Sequence, residues 1–523
     1  MVNEADSSVH LGCTPAQLSL GLLKRSRHRS LLQDSSGAWT GAAALDCIAT
    51  VQFHLERNGC RQGSRVAILS GNRPETWFVG VAAQGLGANL TWLHPLGTIA
   101  AHIQQIEDFD PALVIVDVSR YLPAAEEIAA RFAGRISLLP LGGSNFGTDV
   151  LDAGCAGSRS AVDRSQPDAL GQVNYTGGTT GRSKGAWRTN AALAASAVAI
   201  LADFEFPRSP NFLAIGPISH VTGAKILPSL MRGGRVVMLD RYDPELVCST
   251  IARERIDTCL LVPTMIYGLL DSPAIDRHDL SSLELLLYGA SAMSGSRLQE
   301  ALDRFGPVFS QLYGQTECYP IAVLPREDHD PTDLARLTAC GFASNSCSIS
   351  LQDSAGNEVA AGEAGEICVR APYVMGGYWN QPELTASTLA GGWLHTGDVG
   401  RFDEDGRLYI VDRIKDLIIS GGFNVYPREV EDCLTAIDGV AMAAVFGVPD
   451  SKWGEAVVAT IVATPGTALD TNSFKAAVRQ ACGPINSPKH IQVLPQLPLT
   501  AAGKIDKKAL REAFCSAQGN PAA

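Results

Sequence analysis

Short, nearly continuous apolar runs alternate with longer alanine-rich stretches through the first half of the chain. Arg65-Val66-Ala67-Ile68-Leu69, Ala112-Leu113-Val114-Ile115-Val116 and residues 283–288 are too short for buried helices and carry no polar alternation. That is the pattern of strands covered on both faces in a parallel sheet. With the alanine-rich stretches as helices, it predicts α/β layers. Two of these strands end where a glycine-rich or polar motif begins: residues 173–175 before a Gly/Thr loop, and Tyr288 before Gly289-Ala290-Ser291. Ligands of open α/β sheets sit beyond the carboxyl ends of strands, so both junctions are candidate site edges. From about Gly362 the pieces shorten to β-like runs at residues 365–370 and 406–411, which suit a distorted β-barrel or small antiparallel unit closing the large domain. Asp412-Arg413-Ile414-Lys415-Asp416 marks a change. A compact α+β segment follows, with a helix near 427–436 and strands near 440–446 and 457–462. The division expected is a large α/β domain over residues 1–411, a hinge at 412–416 and a small, mobile α+β domain at 417–523.

A chain of 523 residues exceeds what one core serves, which agrees with a large and a small domain. The formal net charge of -12 and the lack of a basic run exclude a nucleic-acid partner, because phosphate backbones demand a dense positive face. Thirteen cysteines, odd in number and without CxxC pairs, predict reduced thiols rather than a disulfide framework or a zinc site. The first residues carry Glu4 and Asp6 instead of a basic start, and the apolar stretch around 191–202 is too short to cross a bilayer. A cytoplasmic protein without integral membrane association, monomeric or homodimeric, is expected.

The most informative segment is Thr176-Gly177-Gly178-Thr179-Thr180-Gly181-Arg182-Ser183-Lys184-Gly185. Glycines let the backbone curl, hydroxyls and amides can point inward, and two cations add charge, which makes a cradle for polyphosphate. It is not a P-loop, which needs a hydroxyl directly after its lysine, and here Gly185 follows Lys184.

With this loop, three further blocks occur in order: Tyr313-Gly314-Gln315-Thr316-Glu317; Trp393-Leu394-His395-Thr396-Gly397-Asp398 running on to Asp412-Arg413-Ile414-Lys415-Asp416; and Pro498-Leu499-Thr500-Ala501-Ala502-Gly503-Lys504. Together they resemble the adenylate-forming superfamily of acyl-CoA synthetases, peptide-synthetase adenylation domains and luciferases. The chain departs from the family loop at Ser183, where proline is usual, and so loses one φ constraint.

The resemblance implies an ATP-dependent acid ligase that makes an acyl adenylate, releases pyrophosphate and hands the acyl group on. Both reactants are anions, so the protein must neutralise and align them. On this resemblance Thr176, Gly177, Gly178, Thr179, Thr180, Gly181 and Lys184 hold the ATP phosphates. Glu317 holds Mg2+, Thr316 meets the α-phosphate, and Tyr313 with Gly314 lies against adenine. Asp398 takes the ribose diol and Arg413 contacts ribose and phosphate. Gly289 and Ala290 border the nucleotide and, with Ser291, allow close approach of the acyl group. Lys504 is the catalytic lysine of the first step, Lys415 the hinge pivot, and His220 stands between acyl pocket and acceptor channel.

Ser420-Gly421-Gly422-Phe423 is similar to the acyl-CoA synthetase form of the small domain, with Gly421, Gly422 and Phe423 lining the acceptor channel and coenzyme A as acceptor. An amide ligase that passes the acyl group to an amine is the alternative. No clear site for the adenosine 3′-phosphate of CoA stands out; Lys452, Lys475, Arg479 and Lys489 are candidates, without a pattern. Small and apolar residues around the proposed pocket suggest an aromatic, alicyclic or fatty acid as substrate.

Overall fold

The computed structural model describes residues 12–143, 146–155, 159–176, 183–421, 423–450, 452–464, 471–500 and 504–517. Gly177, Gly178, Thr179, Thr180, Gly181 and Gly422 of the expected site lie outside the described residues.

Two large sheets form the body. In the first, five parallel strands run in the order Leu170–Thr176, Asn89–Trp92, Arg65–Leu69, Leu113–Asp117, Ser137–Leu141, and Lys184–Thr189 and Gly377–Tyr378 extend it antiparallel beyond Leu170–Thr176. The second has nine strands, of which Phe309–Gln315, Leu285–Gly289, Thr258–Leu261, Asn211–Ala214, Arg235–Met238 and Ser30–Asp34 run parallel. Threonine side chains at positions 40, 98 and 189 cap the helices Gly41–Arg57, Ile99–Phe109 and Asn190–Asp203, satisfying amide donors that a helix start leaves open. The largest core joins the two sheets through the helices Gly41–Arg57 and Pro74–Gly85: Val66, Ile68 and Leu90 of one sheet and Phe212, Val236 and Leu285 of the other share it with Ile48, Val51 and Phe78. Burial on both sides explains why these strands lack polar alternation.

Of the two forms expected before the hinge, a distorted barrel or a small antiparallel unit, the structure has the second: an open four-stranded antiparallel sheet, ordered Ser348–Gln352, Gly365–Arg370, Leu394–Phe402, Leu408–Arg413. Its last strand does not return to the first. Leu408 exchanges hydrogen bonds with Cys340 and Gly341 instead, beside the edge strand Phe342–Ala343 of the nine-stranded sheet, so the edge that would close a barrel is used to join a neighbour. Tyr313, Cys318 and Ile321 of the nine-stranded sheet, Ala186 of the Lys184–Thr189 strand and Ile367, Val369 and Leu394 of the four-stranded sheet form one core, which puts three sheets around one junction.

The strand Leu408–Arg413 belongs to the four-stranded sheet. After the turn Ile414–Asp416, Ile418–Ser420 opens a five-stranded sheet with Phe423–Val425, Val440–Asp450, Gly454–Ala463 and His490–Val493. One face carries the helices Pro427–Thr435 and Thr471–Cys482, the other Lys507–Ala517. The expectation of reduced thiols throughout is corrected at one pair. The first two helices pack together, and Cys433 and Cys482 on them are joined in a disulfide.

Candidate nucleotide and acyl-transfer site

The junction of the three sheets carries most of the expected residues. Asp398 is buried at 3% exposure in the strand Leu394–Phe402. Its Oδ2 accepts from Tyr313 Oη at 2.7 Å and Gln315 Nε2 at 2.8 Å, and its Oδ1 pairs with Arg413 Nε at 3.2 Å. Three donors therefore fix a carboxylate with about four acceptor positions. Among the described residues only Arg413, 44% exposed at its side chain, shares Oδ1, which leaves this edge able to meet a ligand hydroxyl. Burial and the Asp398 charge push the Tyr313 phenol well above its ordinary range, which keeps it a donor.

The turn that presents Asp398 has its own support. Gly397 sits at φ +71, a left-handed conformation that suits glycine. Its amide donates to Glu366 Oε1 at 3.0 Å, His395 Nδ1 lies 2.8 Å from Glu366 Oε2, and Thr396 Oγ1 donates to Ile367 O at 2.7 Å. Glu366, Cys368 and His395 bring ligand-type atoms close enough to hold a metal ion, but both Glu366 oxygens are already engaged in holding this turn.

Glu317 and Lys184 meet through one tyrosine. Tyr378 donates to Glu317 Oε1 at 2.7 Å, and Lys184 Nζ lies 5.5 Å from the Tyr378 ring centre. Lys184 is also paired across the hairpin with Thr176, so both ends of the phosphate loop start from one point of the sheet. Thr316 lies beside Glu317 in the turn between two antiparallel strands. Beneath, Arg188 reaches Asn174 Oδ1 at 3.3 Å while its buried Nε has no partner among the described residues, and burial lowers its pKa. Gly314 and Gly289 are there for space: a Cβ on Gly314 would come 2.6 Å from Tyr319 Cδ2, and one on Gly289 2.2 Å from Leu312 O. Ala290 follows at φ +65, a strained conformation for a residue with a side chain.

From the small domain Lys504 enters the same crevice. Its backbone N–H donates to Thr500 Oγ1 at 3.2 Å and its carbonyl accepts from Thr500 N at 2.7 Å. Burial lowers its pKa to about 8, the Arg413 and Lys415 charges add to the drop, and Asp398 and Glu317 oppose it. Lys415, half-buried in the turn Ile414–Asp416, is lowered by burial and by Arg413. His220, within reach of the Lys504 charge, is exposed, yet enough protein surrounds its ring to hold its pKa down to about 3, with His94 and Lys504 adding to the effect. Asn72 anchors the segment leading to it. Its Nδ2 donates to Ile215, Gly216 and Leu239 carbonyls and its Oδ1 accepts from Ile218 N.

This crevice thus gathers Lys184, Tyr313, Glu317, Asp398, Arg413, Lys415, Lys504 and His220. Known proteins match along the same stretches. Residues 24–379 match the model of the AMP-binding enzyme family and residues 429–504 that of the AMP-binding enzyme C-terminal domain. The chain belongs to the AMP-binding enzyme family. It is 41% identical over 518 residues to the medium/long-chain fatty acid–CoA ligase FadD8 of Mycobacterium tuberculosis, covering 96% of this chain and 90% of that protein. The amide bond synthetase McbA of Marinactinospora thermotolerans has a similar structure, with TM-score 0.89 and 33% identity over 96% of this chain and 100% of McbA. ATP-bound MatB of Rhodopseudomonas palustris matches with TM-score 0.87 and 29% identity over 95% of this chain and 99% of MatB, against 0.77 for the apo form. As a whole the chain is more similar to the ATP-bound form of that enzyme than to its apo form.

The expected acceptor residues lie elsewhere in this family member. Gly421, at φ +61, donates its N–H to Trp453 O at 2.7 Å, and a Cβ there would meet Trp453 Cε3 at 2.9 Å. Lys452 Nζ and Lys489 Nζ stand 5.0 and 4.8 Å from the Trp453 ring centre, and Phe423 and Ile419 are exposed. Two of the four scattered cations thereby acquire a pattern. Lys475 does not join them, since its amine donates to Lys489 O at 2.6 Å. Trp453 escaped the sequence because a tryptophan among charged residues carries no motif. His395 lies inside a recognised motif whose sequence assigns it no role. Glu366, Asn72, Arg188 and His94 had no local signal.

Proposed function

We propose that the chain joins a carboxylic acid to coenzyme A in two steps, through an acyl adenylate. The observation that carries this is Lys504 of the small domain, held in the crevice among Asp398, Arg413, Glu317 and His220. Asp398 and Arg413 orient the ribose, and Tyr313, fixed by its bond to Asp398, offers its ring to adenine. Lys184 and the loop threonines take the β- and γ-phosphates. Lys504, a compact cation on a flexible stem, bridges the α-phosphate and the acid carboxylate as the negative charge moves between them. The carboxylate oxygen attacks the α-phosphorus and pyrophosphate leaves with its bonding pair. Glu317 suits Mg2+: one oxygen is held by Tyr378, the other takes no hydrogen bond among the described residues, and one carboxylate plus phosphate oxygens is a set this ion accepts. Bound there, the ion would neutralise charge on the departing phosphates.

Coenzyme A as acceptor is supported by the Trp453 patch, which sets an aromatic ring and two ammonium groups suited to its phosphates next to Gly421. In this reading the turn at Lys415 swings the small domain so that Lys504 withdraws and the Gly421 side faces the adenylate. An amine acceptor is the second reading, favoured by the likeness to McbA across the whole chain. Among the described residues no helix is long and apolar enough to cross a membrane, and an ATP-consuming ligase of this kind belongs in the cytoplasm.

The test is enzyme with ATP, Mg2+ and a panel of fatty, aromatic and alicyclic acids, offered either CoA or mixed amines. Thioester formation with no amide at matched concentration fits the proposal. Amide alone would move the chain to the second reading.

A further inference from the structure

One ring in the crevice has no part in the scheme above. His94 lies in the loop between the strand Asn89–Trp92 and the helix Ile99–Phe109, and its ring meets that of His220 edge to face, with centres 4.4 Å apart at 73°. We propose that His94 is a positioning residue for acyl transfer, holding the His220 imidazole where it takes the proton of the incoming acceptor. The inference rests on the ligase reading.

The loop is built around this ring. His94 Nδ1 accepts the Leu96 N–H at 3.0 Å, which places the proton of the neutral ring on Nε2. The His94 carbonyl accepts from Gly97 N at 2.8 Å and lies 2.8 Å from Nε2 of His102, itself only 2% exposed. A Cβ at position 97 would come 2.7 Å from His102 Nε2, so glycine is needed there to let the second histidine reach the loop. His220 is held from its other side by Ser219 Oγ, 2.9 Å from Nδ1, and Ser219 is buried. With Nδ1–H donating to that hydroxyl, Nε2 is the free basic nitrogen.

Packing alone does not account for the pair. His220 is exposed and His94 is only half-buried, and neither belongs to the apolar cores. Burial lowers His94 to about 4 and His220 to about 3, so both rings are neutral, and in this arrangement His220 is a weak base. Lys504 adds to the lowering of His220, and its withdrawal after adenylation would make the ring more basic when the acceptor arrives.

In the step itself, the thiol S–H gives its proton to His220 Nε2 and the sulfur lone pair forms the S–C bond at the acyl carbon. The bond from that carbon to the phosphate oxygen breaks, and AMP leaves with the pair. An amine acceptor would follow the same balance through N–H.

The test separates the half-reactions in the full-length enzyme. Acid-dependent ATP–pyrophosphate exchange reads adenylation, and single-turnover consumption of preformed acyl adenylate with CoA reads transfer. His94→Ala is expected to leave exchange within about twofold and slow transfer roughly 10-fold, and His94→Phe, which keeps the ring, to recover most of the loss. His220→Ala should slow transfer about 100-fold, with the double variant no slower than His220→Ala alone, because both residues act through one proton acceptor. Losses that multiply in the double variant, unchanged transfer in His94→Ala, or exchange and transfer falling together would overturn the proposal. Absence of exchange from the wild-type enzyme with any acid would instead remove the ligase reading, and this inference with it.

Discussion

Asp398→Asn removes one charge while keeping the side-chain volume, and the structure dictates how the amide must sit. Tyr313 Oη and Gln315 Nε2 both donate to Oδ2, so the amide oxygen has to occupy that place. The amide nitrogen then faces Arg413 Nε, where a donor meets a donor, and it points the same way toward the ribose edge. A hydrogen bond to a charged acceptor contributes about 1.5–3 kcal/mol against roughly 0.5–1.5 for a neutral one, so the nucleotide loses about 1–2 kcal/mol from the ribose contact alone. The displaced Arg413, which also contacts the nucleotide in this account, adds to the loss, giving a KM for ATP raised roughly 10- to 50-fold. Because Arg413 is part-exposed and water can replace its partner, the melting temperature should drop by only a few degrees. Pyrophosphate exchange with ATP, 2′-deoxy-ATP and 3′-deoxy-ATP provides the check. The wild-type enzyme should discriminate against the deoxy analogues, and the variant should lose little more with them than with ATP. A KM for ATP within twofold of wild type, or equal deoxy penalties in both proteins, would refute the ribose assignment.

Three further outcomes are expected. Lys504 must be protonated to bridge two anions, and its pKa is lowered to about 8. The kcat/KM of adenylation should therefore fall as pH rises through that value, and Lys504→Arg should abolish the falling limb; a flat profile to pH 10 in the wild type would contradict the role. Trp453→Ala should raise the KM for CoA roughly 10-fold in the transfer assay and leave pyrophosphate exchange unchanged, whereas an equal effect on both would remove the patch from the acceptor site. Lys225 is fully buried against the rings of Tyr319 and Phe204, its amine donates to Tyr319 Oη, and burial drives its pKa well below the ordinary lysine value. Between the lowered value and the ordinary lysine value the unfolded chain binds more protons there than the folded chain, so over that window this group makes stability rise with pH. Replacing the pair by Lys225→Met with Tyr319→Phe should raise stability by about 1–3 kcal/mol in urea unfolding and flatten that rise, while a loss of similar size would contradict it.

The parallel strands were legible because burial on both faces strips them of polar residues, as in Arg65–Leu69 and Leu113–Asp117. The blocks around Tyr313, Asp398 and Lys504 were legible only through their resemblance to a known family, because no periodicity or composition within the chain marks them. Contacts between distant segments left no such trace. His94 meets His220 across more than a hundred positions, Cys433 reaches Cys482 across 49, and Glu366 serves Gly397 from a neighbouring strand. Whether the strand at 408–413 would close a barrel depended on which edge was free, and the bonds of Leu408 to Cys340 and Gly341 decide it. Lys225, inside an apolar run, gave no sign that its amine is buried between two aromatic rings.

The most direct test of the account is acid-dependent pyrophosphate exchange by wild-type enzyme and Lys504→Ala, run beside transfer from supplied acyl adenylate to CoA. Exchange with at least one acid in the wild type, a loss of about 100- to 1,000-fold in Lys504→Ala and undiminished transfer in the same variant are the expected results. Exchange that survives the loss of Lys504, or a wild-type enzyme that exchanges with none of the acids, would contradict it.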